Sequence, residues 1–204
     1  MLKLGDQAPA FDLESDAGKR VKLDDFKGRS LVVYFYPKDD TPGCTREAQA
    51  FNESLDKLAK AGAAVVGVSK DTVASHVKFR DKYSLAFPLL SDPDLTVHNA
   101  FGAYGEKTMY GKKVQGTIRS TFIIGPDGKV SRVFGSVKVD GHADKVLEAL
   151  AGLALPAAGV KSKPKKTDEP KAKAKAGNDE EPIAKKTAAP KPLPAAKKRA
   201  AKSS

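Results

Sequence analysis

The stretch that decides the fold is Leu31-Val-Val-Tyr-Phe-Tyr36, followed directly by Pro37-Lys-Asp-Asp-Thr-Pro-Gly-Cys44. The first part is a continuous apolar run, which is the pattern of a strand buried on both faces. A second such run, Ala63–Ser69, follows residues 45–61, in which apolar side chains recur at helical spacing. Strand, helix and strand of this length predict two parallel strands joined by a right-handed crossover.

Outward from this unit, shorter patterns extend the α/β order. The further predicted elements are, in chain order, a hairpin of strands 10–13 and 19–23, a helix over 72–83 capped by Asp71 or Thr72, a short strand or extended segment at 87–90, a short helix at 94–101, a hairpin of strands 121–124 and 129–134, and a helix over 142–153. This order predicts a mixed central sheet flanked by helices, and it is similar to the thioredoxin-like fold.

The positive charge of the chain is concentrated in its last quarter. The whole chain has a net charge of +11, but residues 157–204 alone carry 14 Lys and Arg against 5 Asp and Glu, a net of +9. This segment has no aromatic residue and is dominated by Lys, Ala and Pro, so it has too little apolar surface to offset the entropy of ordering it. We therefore predict a folded domain over residues 1–156 and a disordered basic tail over residues 157–204.

The single cysteine excludes a scaffold stapled by internal disulfides. No apolar run approaches the roughly 18 residues that indicate a membrane-spanning helix. The N-terminus also lacks a basic start followed by an apolar stretch, which is the pattern of a secretory signal. We expect a cytoplasmic protein with no membrane partner.

Cys44 lies in a turn rich in Pro and Gly that leads from a buried strand into a helix. The free N–H groups and the dipole of a first helical turn favour an anion such as a thiolate. Thr41, three residues earlier, brings a hydroxyl that can donate to the thiolate or to a bound oxygen. A lone cysteine most often packs as a small apolar side chain. The carboxyl end of a parallel strand is where α/β folds place their sites, however, so this setting favours a reactive Cys44.

The residues around Cys44 form the pattern Pro37-x3-Thr41-x2-Cys44, which resembles the pattern of the peroxiredoxins. The longer string Phe35-Tyr-Pro-Lys-Asp-Asp-Thr-Pro-Gly-Cys-Thr-Arg-Glu-Ala48 resembles the bacterioferritin comigratory protein (PrxQ) branch of that family. Further segments that resemble this branch are residues 5–11, 68–71, 75–76, 87–92 and 119–124. The similarity covers about residues 3–152 and none of the basic tail.

The resemblance implies a thiol-dependent peroxidase that reduces hydrogen peroxide and organic hydroperoxides in antioxidant defence, with no metal and no organic cofactor. Cys44 would be the peroxidatic cysteine, which attacks a peroxide oxygen and becomes a sulfenic acid. Thr41 would hydrogen-bond the peroxide, and Arg119 would hold the thiolate and polarise the peroxide. Pro37 would shield the site from water and from over-oxidation.

The chain departs from this branch at residue 49. Many members have a resolving cysteine five residues after the peroxidatic one, where this chain has Gln49, and the chain has no other cysteine. The sulfenic acid must then be reduced by thioredoxin, glutaredoxin or a small thiol through a mixed disulfide, or by a disulfide between two copies of Cys44. The sequence leaves these alternatives open. Members of the branch are often monomers or weak dimers, and we expect one of these states here.

The three histidines carry weaker expectations. His76 and His98 are isolated in the sequence and lack the paired spacing of metal ligands, so we expect no metal site. His142 begins the last predicted helix, and we expect it to be solvated.

Three carboxylates lie close to Cys44 in the sequence. We expect Asp39 and Asp40 to be solvated in the loop that precedes the helix. We expect Glu47 to orient Arg46 or Arg119.

Two further functions compete with the peroxidase. The basic tail is typical of segments that bind nucleic acid weakly through its phosphates, and this activity can coexist with a peroxidase. The tail can equally be a solubilising extension. A thioredoxin-like protein that acts only as a holdase or binding module is a third interpretation, but it leaves Thr41, Cys44 and Arg119 without a purpose.

Overall fold

The computed structural model describes residues 1–109 and 112–153. Its strands are β1 (Asp12–Ser15), β2 (Arg20–Lys22), β3 (Ser30–Phe35), β4 (Ala63–Ser69), β5 (Leu89–Ser91), β6 (Tyr104–Met109), β7 (Lys112–Thr117), β8 (Ser120–Ile124) and β9 (Val130–Phe134). Its helices are α1 (Pro42–Glu53), α2 (Leu55–Lys60), α3 (Val73–Tyr83), α4 (Thr96–Phe101) and α5 (His142–Gly152), and a single 3-10 turn spans Leu23–Phe26.

The central sheet has the strand order β2-β1-β5-β4-β3-β8-β9. β4 lies between β3 and β5 and is parallel to both, whereas the outer pairs are antiparallel. The parallel pair β3 and β4 is the pair predicted from the two apolar runs, and its helical connection starts at the carboxyl end of β3. The structure thus confirms a mixed sheet flanked by helices in a thioredoxin-like arrangement.

The strand β3 is buried along its whole length because both of its faces are covered. Val32, Tyr34 and Tyr36 point into a cluster that also contains Phe51 of α1, Leu58 of α2, Phe79 of α3 and Val146 of α5. Leu31, Val33 and Phe35 point into a second cluster with Val66, Phe101 and Phe122. Two-sided burial explains the continuous apolar run in the sequence, since a strand with one solvated face would alternate.

The helix predicted over residues 45–61 is two helices in the structure, and it begins earlier than predicted. Pro42 is the first residue of α1, a position where its missing N–H costs nothing. The break comes at Ser54, which follows Asn52 and Glu53 and ends α1 before α2 continues to Lys60. Asn and Ser have lower helix propensity than the apolar residues of α1, and apolar spacing alone does not reveal this.

The remaining predicted elements are present with small shifts at their ends. The N-cap of α3 is Thr72, whose hydroxyl accepts a hydrogen bond from the N–H of Ser75 at 3.4 Å. The predicted short strand at 87–90 lies at Leu89–Ser91 instead. The hairpin of β6 and β7 was not predicted, because its sequence lacks the apolar alternation of a strand that packs on the core.

Two predictions concern regions that the structure does not describe. The domain boundary after residue 156 and the disordered basic tail over 157–204 lie outside the described residues and stay predictions. Within the described part of the chain, no helix has both the length and the apolar character needed to cross a membrane.

Candidate active site

The loop from β3 to α1 places Cys44 in the first turn of α1. Thr41 is the N-cap residue, with extended backbone angles, so Pro42, Gly43 and Cys44 are the first three helical residues. The backbone N–H groups of this turn have no partner within the helix, and the positive end of the helix dipole lies here. Cys44 is buried, with 2% of its surface exposed, and it is a free cysteine.

Arg119, which is 75 residues further along the chain, brings a positive charge to the sulfur of Cys44. It directly precedes β8, which pairs with β3 in antiparallel register, so its side chain reaches the end of the sheet from which α1 starts. The guanidinium Nη2 donates to Cys44 Sγ at 3.2 Å. The structure therefore joins two residues that are 75 positions apart in the chain, and it places a fixed cation against the sulfur.

Glu47 is the second partner of the same guanidinium. It lies one turn after Cys44 on α1, it is 1% exposed, and its Oε2 accepts from Nη1 of Arg119. Of the two alternatives predicted for Glu47, the structure places it on Arg119. Arg46 instead points outward and pairs with Asp140 at 3.3 Å. Burial raises the pKa of Glu47 to about 7, because the charge of Arg119 offsets only part of the desolvation.

The carbonyl of Arg119 and the strand β8 that follows it are held by α5 and by the segment before α5. The Arg119 carbonyl accepts from the N–H of Val137 at 3.0 Å. Two residues further on, Thr121 Oγ1 lies 2.8 Å from Nε2 of His142, and both side chains are buried. The prediction that His142 is solvated is wrong, since its ring packs edge-on against aromatic rings of α1 and β9. Burial lowers the pKa of His142 to about 4, and the charges of Lys145 and Arg119 add to this effect.

The prediction that Asp39 is solvated is also wrong. Asp39 is buried and accepts from Tyr36 Oη at 2.7 Å and from Ser75 Oγ at 2.7 Å, and it lies 2.8 Å from Nδ1 of His76. Its backbone N–H donates to Asp71 at 2.8 Å. Burial opposes ionisation of Asp39, but the hydrogen bonds, that of His76 first, outweigh it and lower the pKa. This network ties the loop before Cys44 to the start of α3.

Asp40 matches its prediction more closely, because it is exposed. It has a positive φ of 52°, and its carboxylate pairs with Lys82 at 2.7 Å and accepts from Tyr83 Oη at 2.6 Å. The two neighbouring aspartates of the loop thus differ: one is buried in a network and the other forms a surface ion pair.

Thr41 and Pro37 lie on the same loop as these aspartates. The Thr41 hydroxyl is partly buried and donates to the carbonyl of Lys38 at 3.1 Å. No hydrogen bond among the described residues joins this hydroxyl to Cys44. Pro37 is partly buried and follows the fully buried Tyr36 at the end of β3. Their predicted contacts with peroxide stay predictions, whereas the approach of Arg119 to Cys44 is a contact in the structure.

No group of three or more His, Cys, Asp and Glu side chains that could hold a metal ion occurs in the described ranges. His76 pairs with Asp39, and His98 pairs with Asp92 at 2.6 Å. Both rings are buried, and in the described structure neither Nε2 has a hydrogen-bond partner. Each histidine thus acts as the partner of one carboxylate.

The chain matches the AhpC/TSA family over residues 4–133. A putative peroxiredoxin Bcp of Coxiella burnetii is 48% identical over 149 residues, which is 73% of this chain and 99% of that protein. The structure of the Xanthomonas campestris bacterioferritin comigratory protein, studied for alkyl peroxide reduction, is 48% identical with a TM-score of 0.68, over 71% of this chain and 92% of that one.

Structures of X. campestris peroxiredoxin Q include two in which different cysteines are replaced by serine, so that relative has at least two cysteines whereas this chain has one. The match to the family model covers more than half of the chain, and the match to the Coxiella burnetii protein covers 99% of that relative. The chain therefore belongs to the AhpC/TSA family and is a peroxiredoxin of the Bcp/PrxQ branch, a thiol-dependent peroxidase.

Proposed function

We propose that Cys44 is the peroxidatic cysteine of this peroxidase and that Arg119, Thr41 and Pro37 form the rest of its site. The observation that carries this proposal is the 3.2 Å contact from Arg119 Nη2 to Cys44 Sγ in the first turn of α1. A fixed cation and unpaired backbone N–H groups both favour the thiolate over the thiol. The thiolate is the form that attacks a peroxide oxygen.

In the chemical step, Cys44 Sγ forms a bond to one peroxide oxygen while the O–O bond breaks. Sulfur becomes a sulfenic acid, and the other oxygen leaves as water or an alcohol. Negative charge moves from sulfur to the leaving oxygen, so a donor that reaches both atoms stabilises the transition state. Arg119 is the charged donor at this position, and the loss of one such donor typically costs 10²- to 10³-fold in kcat.

Thr41 is assigned the hydrogen bond to the bound peroxide. Its hydroxyl donates to the Lys38 carbonyl at 3.1 Å and still has lone pairs to accept a hydrogen bond from a peroxide O–H. Pro37, between the buried Tyr36 and the catalytic loop, is assigned the exclusion of water. Proline has a fixed φ and no backbone N–H that would attract solvent to the sulfur.

Reduction of the sulfenic acid needs a thiol from another molecule, because the chain has one cysteine. Thioredoxin, glutaredoxin, a small thiol and a second copy of Cys44 are the candidates. Cys44 is 2% exposed, so the first turn of α1 must open before a protein thiol can reach the sulfur. Turnover with thioredoxin, glutaredoxin and glutathione, compared at equal thiol concentration, identifies the reductant. We place this enzyme in the cytoplasm as a monomer or weak dimer, which fractionation and light scattering can test.

The test of the proposed site is the Cys44→Ser variant. We expect it to lose peroxide consumption with every thiol donor, because serine lacks the nucleophilic thiolate. The intact mass of the reduced wild-type protein should rise by one oxygen on mixing with one equivalent of hydrogen peroxide, and that of the variant should not. Equal peroxide consumption by the two proteins would refute the assignment.

Association of the basic tail with nucleic acid is a separate hypothesis, supported by its net charge of +9 alone. The comparisons with known proteins do not support it. A gel shift with the full chain and with a chain ending at residue 156, at low and at moderate salt, tests it. Equal mobility of the nucleic acid with both proteins would remove the hypothesis.

A further inference from the structure

Two acidic groups of the site share one positive charge. Cys44 and Glu47 lie three residues apart on α1 and on the same side of the helix, where both contact the guanidinium of Arg119. Cys44 is 2% exposed and Glu47 is 1% exposed, so solvent cannot screen either group. The geometry is therefore that of one buried cation between two buried acids.

The side chains that face this trio from other elements do not add a second cation. Tyr34 of β3 is buried and has a pKa well above its usual range, because burial and the nearby acids oppose its ionisation. His142 of α5 has a pKa of about 4 and is neutral near pH 7. In the part of the chain that the structure describes, Arg119 is the one cation that pairs with Cys44 or Glu47.

Two ionised acids beside one guanidinium would leave a buried negative charge without a partner, which is strongly unfavourable. A single proton shared between Cys44 and Glu47 makes the site neutral. Oε1 of Glu47 is buried and has no hydrogen-bond partner within the described residues. Burial disfavours the ionised carboxylate and raises the pKa of Glu47 to about 7, so this side chain can hold the shared proton near neutral pH.

We propose that Glu47 stores the proton that Cys44 gives up and releases it to the oxygen that leaves when the peroxide bond breaks. This inference rests on the proposed function of Cys44. Before the reaction, the site holds the thiolate, the guanidinium of Arg119 and the neutral carboxylic acid. Sulfur then bonds to one peroxide oxygen and is oxidised by two electrons, the O–O bond breaks, and the leaving oxide takes the proton of Glu47 to become water or an alcohol.

After the step, Cys44 is a neutral sulfenic acid and Glu47 is the ionised partner of Arg119. The net charge of the buried site has not changed, because the anion has moved from Sγ to the carboxylate. When an external thiol later reduces Cys44, one proton from that reaction returns to Glu47. Arg119 thus has one anionic partner at each stage of the cycle.

The experiment is a proton count in a single turnover of the wild-type protein at about pH 8, above the pKa of about 7 of Glu47, so that the carboxylate left by the step stays ionised and takes no proton from solvent. Ultraviolet absorbance of the reduced protein reports the thiolate, intact mass reports the sulfenic acid, and a pH indicator in weak buffer reports proton uptake. We expect a thiolate in the resting protein and no net proton uptake per sulfenic acid formed. Uptake of one proton, or the absence of a resting thiolate, overturns the inference.

The Glu47→Gln variant is the matched comparison, since its amide can still accept from Arg119 but cannot store a proton. We expect it to take up about one proton from solvent per sulfenic acid, and zero uptake by this variant would also overturn the inference. Glu53→Gln, at an exposed position of the same helix, should behave as the wild type. If no sulfenic acid forms in the wild type, the proposed function of Cys44 fails, not this inference. If Glu47→Gln does not fold, the proton uptake and resting thiolate of the wild type still test the inference.

Discussion

At the scale of single residues, the site depends on how one planar guanidinium is used. Arg119 donates through Nη2 to sulfur and through Nη1 to a carboxylate, and each contact uses a different nitrogen of the same rigid group. A lysine ammonium is a point charge and cannot span both partners in this way. We therefore expect charge alone to be insufficient at this position, because the fork geometry of arginine is what reaches both partners.

Arg119→Lys should lower kcat/KM for hydrogen peroxide by about 100-fold, which corresponds to about 2.7 kcal/mol of transition-state stabilisation. The charge is retained, so the variant should still fold around the buried Glu47. Arg46→Lys is the control, because Arg46 is on α1 but exposed, and among the described residues its ion-pair partner is Asp140. Stopped-flow peroxide consumption measures both variants, and activity of Arg119→Lys within about twofold of wild type would contradict the argument.

At the scale of elements, the catalytic loop is positioned by contacts that cross from β3 to α3. Asp39 accepts hydrogen bonds from Tyr36 at one end and from Ser75 at the other, and it pairs with His76. These bonds fix the loop on which Thr41 and Pro37 lie. We therefore expect function to depend on a carboxylate that does not touch the sulfur.

Asp39→Asn should destabilise the protein by about 2–4 kcal/mol, because the amide replaces an acceptor by a donor inside a buried network. The displaced loop should also lower kcat/KM by about 10-fold. Urea unfolding and peroxide kinetics measure the two effects.

Asp40→Asn is the matched control on the adjacent residue. Asparagine tolerates its φ of 52°, and an exposed ion pair contributes little to stability, so this variant should unfold at nearly the same urea concentration as the wild type. If the two variants lose equal stability, the buried network is not what positions the loop.

The elements also show how far sequence patterns reach. The apolar runs of β3 and β4 were recognised because burial on both faces excludes polar residues from the strand. The turn at Cys44 can be recognised in the sequence because Pro42 and Gly43 are residue types that favour turns, and Pro is also favoured at the first position of a helix. Asp39 and His142 were assigned to solvent because their partners, His76 and Thr121, are 37 and 21 residues away and no local pattern connects them.

At the scale of the whole molecule, burial of two titratable groups gives opposite responses of stability to pH. Glu47 has a pKa of about 7 in the folded state against 4.5 for an ordinary glutamate, so the folded state binds more protons between these values and becomes more stable as pH falls. His142 has a pKa of about 4 against 6.5, so the unfolded state binds more protons between these values and stability falls with pH. The two windows overlap between pH 4.5 and 6.5.

We therefore expect the free energy of unfolding of the Cys44→Ser protein, in which no thiol exchanges a proton with Glu47, to change little across this overlap, since each shift is worth about 3 kcal/mol and the signs oppose. Both further substitutions are made in that background. His142→Gln removes the group that makes the folded state less stable as pH falls. The free energy of unfolding of this variant should therefore rise as pH falls from 7 to about 4.5. Glu47→Gln removes the group that makes the folded state more stable as pH falls. The free energy of unfolding of this variant should therefore fall over the same pH range. Urea unfolding at half-unit pH steps measures the slopes, with the exposed Glu53→Gln as control. Slopes of the same sign in the two variants would contradict the assignment of these groups, because the protons that distinguish folded from unfolded chain would then come from elsewhere in the molecule.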